Sequence, residues 1–288
     1  MTPQERVRRS LDGLSVGDAF GERFFVRDDV LATALKMRRI PANAPWGWTD
    51  DTAMALSLVE TIEASGSLDA DEFARRLGAR YLAQPSRGYG GGAHEVLALL
   101  SQGIPWSQAA RSLFDGAGSM GNGAAMRVAP LGAYFAHEPL SRVVEEAFRS
   151  ASVTHAHPEG QAGAVAVAIA AAGFAKNENR GLIWANVLAR TPRGATRDGI
   201  EQASTLGFDQ PSTFAAQKLG SGAKVLSEDT VPFSLWCALK HHDDFVEAMW
   251  ATVNGLGDRD TTCAIVGGLV GIRHAPPAEW LRSREPLS

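Results

Sequence analysis

Four short stretches of the chain carry residue types whose spacing could do chemistry. The first is Thr49-Asp50-Asp51-Thr52, two adjacent carboxylates flanked by hydroxyls at the start of the strongly periodic run TAMALSLVETIEA. One carboxylate there could cap a helix, since it accepts the orphan N–H groups of the first turn and suits the positive end of the dipole. Capping does not call for two carboxylates with threonines on either side. The second stretch is Asp258-Arg259-Asp260-Thr261-Thr262, which follows a glycine-rich turn and opens the apolar, small-residue run CAIVGGLVG. Taken singly, each reads as an ordinary acidic N-cap. Packed side by side, the two helix starts would make an oxygen-only cage, which suits Mg²⁺, Mn²⁺ or Ca²⁺ and disfavours zinc.

The third stretch is the loop GSMGNGAAMR from Gly118 to Arg127. Its small residues would let backbone N–H groups approach a phosphate, although such a loop alone is more often a tight turn. It lacks the Gly-Lys-Ser/Thr ending of a nucleoside-triphosphate loop and follows no strand, so triphosphate and dinucleotide-fold readings have no support. The fourth is Thr154-His155-Ala156-His157-Pro158-Glu159, with no cysteine or third histidine at zinc-like spacing. His155 therefore suits orienting a polar ligand. His157, whose backbone Pro158 restricts, suits a structural hydrogen bond.

The elements that must position these groups read as helices throughout. Thr2, Pro3 and Glu5 spell a capping box with proline at the first helical position, continued by Val7, Leu11 and Leu14. A second helix begins at Thr49 to Thr52 after a loop from about Val26 to Trp48, and a third begins at Asp69 with Glu72 three residues on. Further starts fall at Ile104-Pro105, Glu138-Pro139, Thr213 and His242-Asp243, while the tail from about Pro276 reads as irregular. Alternating β-branched or aromatic runs are nearly absent, so the fold class is all-α. The small residues Gly267, Gly268 and Gly271 allow close helix packing. With no solenoid period and no linker, residues 1–288 read as a single domain.

Composition narrows the function classes. At 45% hydrophobic and 21% charged residues, disorder, collagen-like and coiled-coil readings drop out. A net charge of −4 offers no basic face for duplex nucleic acid or an anionic membrane. The longest charge-free apolar run, Ala162 to Ala175, is Ala-rich and reads as a buried helix rather than a span. Two cysteines, Cys237 and Cys263, in apolar helical sequence and a polar N-terminus point to a cytoplasmic protein. A monomer is the default expectation.

With these elements in this order, the chain resembles the ADP-ribosylglycohydrolase family. The resemblance runs from GLSVGDAFGE through WTDDT, RGYGGG, GSMGNGAAMR and THAHPEG to GDRDTTCAIVGGLVG. WTDDT and DRDTT, about two hundred residues apart, are specific as a pair. The resemblance implies a compact orthogonal helical fold with two Mg²⁺ ions, or alternatively Mn²⁺, held by Thr49, Asp50, Asp51, Asp258, Asp260 and Thr261. It implies phosphate and ribose contacts at Ser119, Met120, Gly121 and Asn122, His155 near the ribose, and Tyr89-Gly90 beside the adenosine end. The implied activity is hydrolysis of the glycosidic bond between ADP-ribose and an acceptor on a protein, nucleobase or small molecule, releasing ADP-ribose. Two rivals are a non-catalytic ADP-ribose-binding relative and a phosphoesterase cutting the diphosphate.

One departure concerns the catalytic base. Family members often carry an acidic residue a few positions beyond the GDAxG glycine, whereas here Glu22 follows Gly21 directly and Phe25 holds the later position. Glu22 is the nearest carboxylate and the candidate base, with two readings beside it: a helix-end surface charge, or a base role taken by a metal-ligating aspartate such as Asp50. The acceptor linkage stays open among arginine, serine, nucleobase and O-acetyl. The Val26–Pro45 segment and the tryptophans Trp46 and Trp48 are candidates for setting it.

Overall fold

In a computed structural model describing residues 1–41 and 43–287, every regular element is helical. The first half of the chain forms α1 (Pro3–Glu22), α2 (Asp28–Met37), α3 (Asp50–Ser65), α4 (Ala70–Ala83), α5 (Gly91–Ser101), α6 (Trp106–Ala109), α7 (Gly123–Met126) and α8 (Ala129–Tyr134). The second half forms α9 (Leu140–Ser152), α10 (Pro158–Ala175), α11 (Arg180–Arg190), α12 (Ala195–Thr205), α13 (Ser212–Leu219), α14 (Ser227–Lys240), α15 (Phe245–Val253), α16 (Arg259–Val270) and α17 (Ala278–Ser283). The described residues contain no strand, only isolated bridges that tie Trp46 to Arg284 and Gly121 to Leu226.

Local chemistry accounts for the helix starts. Thr2 and Glu5 exchange both bonds of the capping box at α1, and the Asp69 carboxylate accepts from the Asp71 and Glu72 N–H groups at α4. His157 accepts from the Glu159 N–H at the start of α10, the structural bond expected of it. That helix is apolar on every side and runs buried through the middle of the molecule, as an all-round hydrophobic helix must.

Two expectations about loops are overturned. The Val26–Trp48 segment is not a continuous loop, because Asp28 and Asp29 fill the first turn of α2 and its Leu31 and Ala34 are buried. The tail is not irregular throughout, because α17 anchors it by stacking Trp280 on Phe20 at 4.9 Å. The α17 helix is only six residues long and is held by tertiary contact, whereas α2 carries an acidic first turn and an apolar face that the loop reading passed over. Trp46 and Trp48 are core residues, 5% and 2% exposed.

The pair that matters most for the site is α1 against α16. Gly13, Gly17 and Gly21 line up four residues apart on α1 and meet Gly267, Cys263 and Arg259 of α16 backbone to backbone. A Cβ on Gly17 would collide with the Cys263 carbonyl, and one on Gly267 with the Gly13 carbonyl. The glycines expected to allow close packing on α16 thus have matching partners on α1. This contact sets the N-terminus of α16 beside the C-terminal half of α1. Among the described residues no helix is long and apolar enough to cross a membrane.

Candidate active site

The two acidic helix starts meet. Asp258 is the N-cap of α16 and Thr49 the N-cap of α3, and neither uses its side chain to cap its own helix, so the side-chain oxygens are left for something else. The Thr49 hydroxyl oxygen lies 3.0 Å from Asp51 Oδ2, and the Thr261 hydroxyl approaches the same oxygen at 3.4 Å across the interface between the helices. Asn122, at the start of α7, donates through Nδ2 to Asp258 Oδ2 at 2.7 Å and to the Thr230 hydroxyl at 3.0 Å. Asp50, Asp51 and Thr261 are buried, and Gly88 in a left-handed turn passes against Thr49 and Asp50.

Beneath them lies Asp18 of α1, fully buried, a residue that motif reading passed over. Its carboxylate accepts from the backbone N–H and the hydroxyl of both Thr49 and Thr52, at 2.5 to 3.1 Å. It therefore does from another helix what an N-cap does locally, and fixes the turn that carries Asp50 and Asp51. A signal existed: Val7, Leu11, Leu14 and Asp18 fall on one helical stripe, and a carboxylate on an apolar stripe needs a reason.

Crowding buried carboxylates has an electrostatic consequence. Burial, then the charge of Asp18, with further contributions from Asp258 and Glu22, pushes the Asp50 carboxyl up to about 7. Burial pushes Asp18 itself to about 6 against the pull of its four donor groups. Asp51 and Asp260 are held well above the usual range by burial and by their acidic neighbours. Asp51 Oδ1 and Asp260 Oδ1 are buried with no hydrogen-bond partner among the described residues. An orphaned, desolvated carboxylate oxygen is costly unless a proton or a cation meets it. The donor set is all oxygen, as hard divalent cations require. Among the described residues no three His, Cys, Asp or Glu side chains already converge as a finished ligand cage. The fit to a cation rests on the orphaned oxygens and the donor chemistry.

These groups border a cavity of about 630 Å³, lined by Asp50, Asp258, Asp260 and Thr261 there and elsewhere by glycine-rich turns and apolar side chains such as Met54, Val96, Leu113 and Phe114. Gly90, Ser119, Met120, Gly121, Asn122 and His155 all line it. Ser119 Oγ accepts from the Gly121 N–H, which shapes the turn, and Gly160 of α10 packs under it against His155. His155 is buried with Nδ1 2.7 Å from the Thr154 hydroxyl, and burial together with the nearby Arg127 guanidinium pushes it down to about 3, so the ring is neutral. Arg127 is wholly enclosed and donates to the Gly123 and Ser150 carbonyls and the Thr154 hydroxyl. The Tyr89 side chain is not brought to this cavity: it is buried against Tyr81 at 5.3 Å and His94 at 5.8 Å. Lys224 and Val225, from the turn before α14, complete the wall without any motif to announce them.

Glu22 lies on the other side of the aspartates, half-buried, in a second cavity that also contains Thr49, Asp258 and Asp260. Burial raises its carboxyl, and the adjacent Arg23 opposes the rise. It is close enough for its charge to raise Asp50.

An all-α protein whose ligand-sized cavity ends on a knot of buried carboxylates has the build of an enzyme site. The chain belongs to the ADP-ribosylglycohydrolase family, whose model matches residues 1–286. It is 32% identical to an uncharacterised protein of Archaeoglobus fulgidus, covering 96% of this chain and 91% of that one. It is 29% identical to ADP-ribosylhydrolase ARH3 of Bos taurus, covering 97% and 88%, and 26% identical to ADP-ribosylarginine hydrolase Tri1 of Pseudomonas putida, covering 98% and 75%. A solved chain described as an ADP-ribosylglycohydrolase-related protein complex superposes with a TM-score of 0.68 at 25% identity, covering 98% of this chain and 94% of that one. The chain is accordingly a hydrolase of this family.

Proposed function

We propose that the protein is a divalent-metal-dependent ADP-ribosylhydrolase that cleaves the bond between the distal ribose and an acceptor and releases ADP-ribose. The observation that carries this reading is the convergence of Thr49, Asp50, Asp51, Asp258, Asp260 and Thr261 from two helix starts beside a cavity of glycine turns and apolar side chains. These six would hold two Mg²⁺ or Mn²⁺ ions, which when bound supply neutralisation of the carboxylates and Lewis-acid orientation of the ribose hydroxyls.

The chain's own residues supply the rest. The turn at Ser119 and Met120 offers N–H groups to a diphosphate while the Gly121 N–H is held by Ser119 Oγ, and Lys224 adjoins the turn as a counter-charge, since the carbonyl of the next residue, Val225, accepts from the Asn122 N–H. His155, neutral at its depressed titration point, donates or accepts a hydrogen bond without adding charge. Tyr89 enters only through Gly90, its neighbour in the wall. Asn122 holds Asp258, and Asp18 holds the α3 turn, so the reacting carbon meets a fixed constellation. Glu22, with its raised carboxyl, is the base that takes a proton from the attacking water as the water oxygen bonds to C1″; the bonding pair leaves with the acceptor heteroatom. If Glu22 proves dispensable, Asp50 takes that role.

A panel of ADP-ribosylated arginine, serine and O-acetyl substrates, assayed with Mg²⁺, Mn²⁺ or EDTA, tests the reading. Free ADP-ribose formed only with a cation, and lost in Asp258→Ala, is the expected result. AMP and a ribose phosphate would identify diphosphate cleavage instead, and full activity in EDTA would overturn the metal role.

A further inference from the structure

The two ring nitrogens of His155 face different surroundings. Nδ1 points inward and lies 2.7 Å from the Thr154 hydroxyl oxygen. Nε2 has no hydrogen-bond partner among the described residues and lies at the cavity wall, where a Cβ on Gly121 or Gly123 would come within 3.6 or 3.5 Å of it. The ring is clamped in that pose. Gly160 packs so closely that a Cβ there would sit 2.8 Å from Cδ2, and the Gln161 side-chain amide donates to the His155 carbonyl at 2.8 Å.

Thr154 decides which nitrogen carries the proton. Arg127 donates to the Thr154 hydroxyl oxygen at 2.9 Å, and a guanidinium can only donate. The hydroxyl proton therefore points elsewhere, and among the described residues the acceptor it meets is His155 Nδ1. The Ser150 carbonyl, one turn back and the usual acceptor for a helical threonine hydroxyl, receives Arg127 instead at 2.8 Å. A proton on Nδ1 would have to donate to Thr154 and leave the threonine proton buried without an acceptor, which is costly. Burial and the Arg127 charge push the ring down to about 3 and keep it neutral. A neutral ring that accepts at Nδ1 carries its proton on Nε2. The bonds from Arg127 to Thr154 to His155 thus run in one direction, from a buried cation to the cavity, and polarise the last N–H.

We propose that Thr154, oriented by Arg127, is a positioning residue that fixes His155 as the Nε2–H tautomer, so that the ring is an obligate donor to an acceptor oxygen of ADP-ribose. This deepens the hydrolase reading above and rests on it for the identity of the ligand. A ring free to exchange tautomers would present a bare nitrogen to the cavity part of the time, and a lone pair there repels a phosphate or ribose oxygen.

The test uses the full chain with saturating Mg²⁺ and isotope-labelled histidine. Long-range proton–nitrogen correlation spectra read the tautomer, the His155 signals being assigned against His155→Gln, and calorimetry reads ADP-ribose affinity. The expected result is a protonated Nε2 and a bare Nδ1 in the free protein, with the Nε2–H signal moving when ADP-ribose is added. Thr154→Val, which removes the hydroxyl at nearly constant shape, should give a mixture of tautomers and weaken ADP-ribose binding by about tenfold or more, and Thr154→Ser should restore the tautomer and bring affinity back within about twofold. A proton on Nδ1, or a charged ring, in the unaltered protein overturns the assignment without any variant having to fold. Affinity lost in Thr154→Val with the tautomer unmoved, or the tautomer changed with affinity intact, overturns it as well. Failure to cleave any ADP-ribosylated substrate, with ADP-ribose still bound through Nε2–H, overturns the hydrolase reading and supports this one.

Discussion

Withdrawing divalent cations should cost this protein stability in a way that grows with pH. Asp50 titrates near 7 and Asp18 near 6 in the folded chain, against 3.8 ordinarily. A carboxyl whose folded titration point is raised contributes stability that is fully present below 3.8 and lost as pH rises through 6 to 7, because the folded state must then surrender protons it holds more tightly than the unfolded state. At about 1.4 kcal/mol per tenfold, the Asp50 proton is worth about 4 kcal/mol and the Asp18 proton about 3 kcal/mol. The two share one mutual repulsion, so about 5 kcal/mol serves for the pair. An unfolding entropy of about 2.1 cal/mol/K per residue turns that into about 8 °C for a chain of this length. Melting curves in EDTA and in saturating Mg²⁺ are to be recorded between about pH 5 and pH 8. His155, lowered to about 3, makes stability fall as pH drops below its unfolded value of 6.5, but it does so in both buffers and cancels in their difference. Only the part above pH 5, about 3 kcal/mol for the pair, is lost inside that range, so the Mg²⁺-induced rise in Tm should grow by about 5 °C across it. A rise that is the same at both ends, or larger at the acid end, would refute the electrostatic account of the carboxylate knot.

Three substitutions probe the parts separately. Glu22→Gln should lower kcat by about a hundredfold or more with ADP-ribose affinity retained, measured by steady-state kinetics and calorimetry; an unchanged rate passes the base role to Asp50. Asp18→Asn turns one acceptor oxygen into a donor facing the Thr49 and Thr52 N–H and hydroxyl donors, and should cost about 2–4 kcal/mol of stability by denaturant titration and lower kcat more than it raises KM. Gly17→Ala must force α1 off the Cys263 carbonyl, so a loss of about 2–3 kcal/mol accompanied by a weaker Mg²⁺-dependent rise in Tm is expected; a loss of stability with the cation response intact would separate the helix contact from the site.

Much of the architecture was legible in local order. The capping box at Thr2, the cap at Asp69 and the apolar period of α3 are interactions within one turn or one helix, and they form as the residue types say they must. The pairing of acidic helix starts could also be read, because two hydroxyl-flanked carboxylate pairs are more than helix capping requires. Gly267 and Gly271 announced a close approach, though not what would approach. Local reading falls short in the other direction: α17 is six residues long and owes its order to contacts such as Trp280 on Phe20, while the acidic first turn and apolar face of α2 are a local signal that the loop reading misses.

What the sequence by itself determined, then, is an all-helical chain with oxygen-rich starts on α3 and α16, since helix periodicity and capping act over three or four residues and leave their mark on the order of residues. Only the tertiary structure decided that Asp18 caps α3 from a different helix, that the Tyr89 ring is spent on Tyr81 and His94, and that Asp258 and Asp260 line two cavities. Those outcomes depend on which surfaces meet across up to the whole length of the chain. Burial, which strips water from the carboxylates and raises Asp50 to about 7, exists only once they have met.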